Sequence, residues 1–136
     1  MWEHFRHIAD IGIRGIGDTL EEAFEEGATA LMQVICTPEQ VKPIQTIQIQ
    51  CTADDNDLLF ADWINALIYE MDVRKMLFSA FEVHIHNHQL SGKAYGEQID
   101  LNRHEIAVEV KAATYMELKV YENDRHQWIA QCVVDV

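Results

Sequence analysis

An α+β fold is predicted: one domain, mostly antiparallel sheet, with two main helices. Three observations predict it. Two segments repeat apolar residues at helical spacing. Several others alternate apolar and polar residues, as half-buried strands do. These strand-like segments come in runs rather than in strict alternation with helices, the pattern of α+β and not of a parallel α/β sheet. A chain of 136 residues is long enough for one sizeable core.

Near the start, His7-Ile8-Ala9-Asp10 places an acidic residue at a predicted strand end. Gly12-Ile13-Arg14-Gly15-Ile16-Gly17 follows. It is glycine-rich, but the helix after it opens with Glu21, Glu22, Glu25 and Glu26, which would repel a phosphate. That helix begins at Thr19, where Thr19 and Glu22 have the spacing of a capping box. Leu20, Ala23, Phe24, Gly27, Ala28, Leu31, Met32 and Ile35 then fall on one face, and Pro38 ends the pattern. Both prolines, Pro38 and Pro43, sit in one connector.

Ile47, Ile49 and Cys51 alternate with glutamines as a strand. A second helix is predicted from about Asp57 to Met71, with Leu59, Trp63, Ala66 and Leu67 on one face and Asp54, Asp55 and Asp57 at its start. Both apolar stripes read as core. Further strands are predicted at Phe81–Ile85, Ile106–Val110 and Met116–Val120. Glu122-Asn123-Asp124-Arg125 reads as a turn into a final strand, Trp128–Val136. That strand is apolar on both faces, which places it centrally in its sheet.

Charge narrows the function. Ten Lys and Arg against 23 Asp and Glu give a net charge of −13. Nucleic acids are bound by neutralising phosphates with cationic side chains, so direct RNA or DNA binding is not expected. Such a field favours a basic partner or a cation, and it also serves solubility. No stretch approaches the roughly 20 apolar residues of a membrane span. The N-terminal Met1–Arg6 is too polar for a signal peptide. Cys36, Cys51 and Cys132 form no CxxC pair and read as reduced, mostly buried thiols of a cytoplasmic protein.

Two clusters are candidates for chemistry. Asp10 and Asp135 each stand among apolar neighbours, and a buried carboxylate is costly unless it is paired, hydrogen-bonded or metal-bound. One reading leaves both exposed at strand ends. The other makes a hard-cation site, with carboxylates from Asp10 and Asp135 and carbonyl or terminal oxygens from Val136. His84, His86 and His88 have the period-2 spacing that puts three imidazoles on one strand face. They could chelate zinc, or could simply face solvent. His7 and His104 stand alone and read as hydrogen-bonding spacers or as acid–base groups. No nucleophile–base pair or nucleotide-binding fingerprint is present.

Several segments together resemble the archease family. They are His7-Ile8-Ala9-Asp10 with Gly12, Gly17 to Phe24, Leu58-Leu59 with Trp63-Ile64-Asn65, Gly96-Glu97, His104, Glu109 to Tyr115, and Asp135-Val136. They occur in order and span nearly the whole chain. Ile8 departs from the family's usual His-Thr-Ala-Asp but leaves Asp10 in place. The resemblance implies an accessory protein of an RtcB-type tRNA-splicing RNA ligase, not an enzyme. Such a protein promotes guanylylation of the ligase's active-site histidine, permits multiple turnover and broadens nucleotide use. It also implies a divalent metal, Ca²⁺ first and Mg²⁺ or Mn²⁺ next, held at Asp10, Asp135 and Val136. Glu109, Lys111, Thr114 and Tyr115 belong to the family pattern, with Glu109 and Lys111 expected on one strand face. A small metal-dependent phosphoester hydrolase and a chaperone-like protein are the competing classes.

Overall fold

A computed structural model describes residues 1–7 and 10–136. In chain order the elements are β1 (Trp2–His7), β2 (Asp10–Gly17), α1 (Leu20–Ile35), a 3-10 turn (Pro38–Gln40), β3 (Gln45–Thr52), α2 (Asn56–Arg74), β4 (Met76–His86), β5 (Gln89–Gln98), β6 (Ala112–Ala113), β7 (Lys119–Glu122) and β8 (Trp128–Asp135). Every recorded pairing is antiparallel. The first sheet runs β1-β2-β8, with β6 and β7 both paired to the far edge of β8. The second runs β3-β5-β4. The α+β expectation holds, and so does the central place of the final strand.

Helix α1 packs against both sheets. Its Thr19 Oγ1 accepts from Glu22 N–H at 3.1 Å, so the capping box forms as its spacing predicts. Its burial exceeds one stripe. Ala30 and Val34 are buried along with Phe24, Ala28 and Leu31, because apolar surface lies on more than one side of the helix. Helix α2 is capped by Asp55, whose Oδ1 accepts from Leu58 N–H at 2.8 Å. It runs three residues past the expected Met71, to Arg74.

The glycine-rich segment is β2, and its glycines serve packing. A Cβ on Gly15 would lie 2.0 Å from the Ala23 carbonyl oxygen and 2.2 Å from Gly27 N. The strand therefore presses directly against the α1 backbone, as only glycine permits. Trp63 is the largest buried side chain. Its Nε1–H donates to Phe24 O at 3.1 Å and its ring covers Gly92 of β5. One tryptophan thus joins α2, α1 and the second sheet.

Three strand expectations are corrected. Ile106–Val110 is not a strand: its recorded pairing is a single bridge from Ile106 to Cys36. Residues 105–109 are all exposed and only Val110 is buried, so the apolar alternation of the sequence is not matched by burial, and the chain lies along a groove without a ladder partner. Glu109 and Lys111 therefore share no strand face. The segment from Met116 becomes strand only at Lys119, after a turn that includes Glu117 at φ 55°. His88 lies in the β4–β5 turn at φ 59°, so only His84 and His86 share a strand face. Among the described residues no three His, Cys, Asp or Glu side chains converge as a metal group, which removes the three-histidine zinc reading.

Candidate metal centre at the end of the first sheet

Antiparallel pairing brings the two ends of the chain to one edge of the first sheet. His7 pairs with Asp10 across β1 and β2. Ile11 pairs with Val134 across β2 and β8. The recorded pairs end there; the same register continued by one residue would bring Asp10 beside Asp135. Residues so paired have Cα atoms about 4.5–5.5 Å apart and side chains on the same face. Asp135 in turn pairs with Ala112 of β6. His7, Asp10 and Asp135 thus fall along one row of strand ends in the continued register, although their side chains do not converge as a three-residue metal group. Ile8 and Ala9 of the His-Ile-Ala-Asp motif lie outside the described residues.

The row is fixed from below. Strand β8 is buried from Ile129 to Val134 and emerges only at Asp135, so its apolar length sets where the carboxylate surfaces. Asp135 O accepts from Lys111 N–H at 2.8 Å. Val133 O accepts from both Thr114 N–H and Thr114 Oγ1, each at 2.9 Å. Asn65 of α2 accepts from Ala113 N–H at 2.8 Å and ties β6 to the helix. Val136 packs its side chain against the core, which holds its main-chain oxygen near Asp135. Asp10 is half-buried and Asp135 exposed.

The donor set suits a hard cation. Two carboxylates and a main-chain oxygen are oxygen ligands, and they leave coordination positions for water or a phosphate oxygen. His7 Nδ1 is buried without a hydrogen-bond partner among the described residues. In the sequence His7 stands alone, because its place beside Asp10 depends on strand pairing.

An open groove of about 530 Å³ lies beside this edge, between α2 and the extended segment 106–111. Ile68, Met71, Ile99, Ile106 and Val108 line it, and Lys111 reaches its rim. It forms where the sequence pattern predicts a strand.

A second polar cluster is structural. Glu97 is buried. It accepts from Lys42 N–H at 2.7 Å, from Arg103 Nη2 at 2.6 Å and from His104 Nε2 at 3.0 Å. His104 Nδ1 accepts from Asp100 N–H at 2.9 Å, which leaves the ring proton on Nε2 to donate to Glu97. His104 is therefore a hydrogen-bonding spacer. The Lys42 N–H, then Arg103 and His104, hold the Glu97 carboxyl at about 2, below the ordinary 4.5. A depressed carboxylate pKa adds stability that is present above 4.5 and lost as pH falls toward 2. Glu97→Gln is expected to lower stability at neutral pH and to flatten its decline between pH 4.5 and 2, as read from urea midpoints across that range. An unchanged acid profile would show that the cluster does not set it.

The cysteines are inert. All three are free. Burial raises the Cys36 and Cys51 thiols to about 11 and Cys132 to about 12, far above the range of reactive thiolates.

The fold and the strand-end carboxylates define a small α+β protein with a candidate cation site; among the described residues no helix is long and apolar enough to cross a membrane. A model of the Archease protein family (MTH1598/TM1083) matches residues 2–136, and the chain belongs to that family. It is 42% identical to the protein archease of Pyrococcus furiosus, with 99% of this chain and 98% of that protein covered. It is 42% identical to the protein archease of Sulfurisphaera tokodaii, with the same coverage. Its structure is similar to the solution structure of Methanobacterium thermoautotrophicum protein 1598, at a TM-score of 0.87 and 32% identity, covering 99% and 98% of the two chains. The fold also matches a Thermotoga maritima crystal structure described as an archease and possible chaperone, at a TM-score of 0.68 and 21% identity, covering 98% and 99%.

Proposed function

We propose that this protein activates an RtcB-type tRNA-splicing RNA ligase, promoting its guanylylation and multiple turnover and widening the nucleotides it uses. The observation that carries the reading is the row of His7, Asp10 and Asp135 at one sheet edge, in a chain of the archease family. In this reading Asp10, Asp135 and the Val136 main-chain oxygen hold a divalent cation, Ca²⁺ or else Mg²⁺ or Mn²⁺. Such an ion, when bound, offsets charge on a neighbouring phosphate. The chain's own part is to present that edge. Strand β8 and the Lys111–Asp135 hydrogen bond hold the carboxylates in place, and the net charge of −13 steers the protein to the basic cleft that an RNA ligase needs. Activation requires tighter binding to the guanylylation-competent ligase than to its resting form, since equal affinity shifts no population.

The test is ligation by the host's RtcB-type ligase with RNA in large excess. Product is expected to stop near one equivalent per ligase without this protein and to continue with it. Labelled GTP should show the ligase histidine recharging only in its presence. If neither turnover nor guanylylation changes, the reading fails. The apolar groove favours a second reading, chaperone-like binding of a client segment. Suppression of client aggregation beyond that of an equally acidic control protein would support it.

A further inference from the structure

We propose that the open edge of β3 is a self-association surface, where a second copy of the chain pairs with it antiparallel about a two-fold axis through Ile49. The backbone parity of the sheet shows which groups face out. Ala53 N–H donates to His88 O, in step with the β3–β5 register. Ile99 N–H donates to Lys75 O, in step with the β4–β5 register. Hydrogen-bonded positions alternate along an antiparallel pair. Odd-numbered residues of β3 therefore bond to β5, and Thr46, Gln48, Gln50 and Thr52 turn their N–H and C=O groups outward. Among the described residues these groups have no recorded partner.

Unpaired strand edges invite a further strand, and proteins guard them with charges, bulges or cover. The β1, β7 and β4 edges are guarded, and β6 is only two residues long. Strand β1 carries Glu3 and Arg6, and β7 carries Lys119 and Glu122. Strand β4 has a bulge between Phe78 and Ala80, and its outward Val83 N–H donates to Glu25 Oε2 at 2.9 Å. Strand β3, Gln45-Thr46-Ile47-Gln48-Ile49-Gln50-Cys51-Thr52, has no charge and no proline over eight residues.

Local charge at the strand ends selects the occupant. Two copies of a chain of net charge −13 repel each other overall, so a contact between them must be one where no acids face each other. Strand β3 offers that contact. Its ends are also complementary. The exposed Lys42 precedes it, and Asp54 and Asp55 follow it. Burial, and then the nearby charge of Asp62, raise the Cys51 thiol, which places a further acid at that same end. Antiparallel pairing brings the lysine end of one copy to the acidic end of the other.

The register follows from the outward groups. Gln48 opposite Gln50 and Thr46 opposite Thr52 is the two-fold register that pairs all four outward residues. It also sets Gln beside Gln and Thr beside Thr on the solvent face, favourable cross-strand pairs. One strand edge buries less than the roughly 1,200–2,000 Å² of a stable interface, so the dimer is weak.

Sedimentation velocity of the full chain from about 10 μM to 1 mM is the test. A reversible monomer–dimer equilibrium is expected. Gln48→Pro removes an outward donor that β5 does not use, as edge strands tolerate, and is expected to weaken the dimer at least about tenfold with unchanged circular dichroism. Gln48→Lys combined with Gln50→Lys should do the same by setting like charges opposite each other, and it decides the matter if the proline variant does not fold. A monomer at every concentration, a species larger than a dimer, or a dimer untouched by the folded variants overturns the proposal.

Discussion

Asp10→Asn and Asp135→Asn are each expected to fold normally and, if the protein activates an RtcB-type ligase as proposed, to return that ligase to about one product per enzyme. Asparagine keeps the shape of the side chain and removes its charge. Both positions lie at the solvent end of the sheet, Asp10 half-buried and Asp135 exposed, so neither substitution opens the core. In the proposed function, in contrast, the cation depends on them. Even residues that only orient metal ligands cost about 10- to 100-fold in metal affinity or activity when changed. Loss of one of two carboxylates should cost at least that. Calorimetric titration with Ca²⁺, Mg²⁺ and Mn²⁺ reads the binding directly, and the excess-substrate ligation assay reads the consequence. If both variants bind the ions and activate fully, the strand-end row is not the functional site. If they lose the ions but activate fully, the metal is structural or incidental.

Trp63→Ala is expected to be the most damaging core substitution, destabilising by about 3–5 kcal/mol. The ring is fully buried and removes itself from three partners at once: the Phe24 carbonyl on α1, Phe81 on β4 and Gly92 on β5. A loss of that size is a large share of the stability of a domain this long. Denaturant unfolding followed by circular dichroism measures it. A further comparison tests the mechanism. A Cβ at Gly92 would lie 2.7 Å from the Trp63 ring, so Gly92→Ala should be costly in the native chain and much less so beside Trp63→Ala. Additive effects would show that the ring does not dictate glycine at that position.

That pair also explains why one strand was illegible. Strand β5 reads Gln89-Leu90-Ser91-Gly92-Lys93-Ala94-Tyr95-Gly96-Glu97-Gln98, with few strongly β-forming residues. Its inward positions include Gly92 and Gly96 because a Trp63 ring and the Leu77 backbone occupy the space a side chain would need. No local pattern carries that information. The converse error arose at Ile106–Val110. Apolar alternation there does not become alternate burial, since residues 105–109 are all exposed, and a strand also needs a free ladder edge. The far edge of β8 is already taken by β6 and β7.

Local chemistry in the chain determined both helices, their caps at Thr19 and Asp55, the strands around Ile47–Cys51 and Phe81–Ile85, and the burial of Trp128–Val134, because periodicity and capping are written within a few residues. It also determined the acidic field and the family. Tertiary structure alone decided which distant groups meet. Antiparallel pairing of β2 with β8 carries Asp10 to Asp135, and pairing of β1 with β2 sets His7 in the same row. Long-range contacts likewise bury Glu97 with His104 and leave the edge of β3 open. The physical reason is register: a one-residue shift in either ladder would turn those side chains to the other face, and register is set by the whole core rather than by the residues that use it.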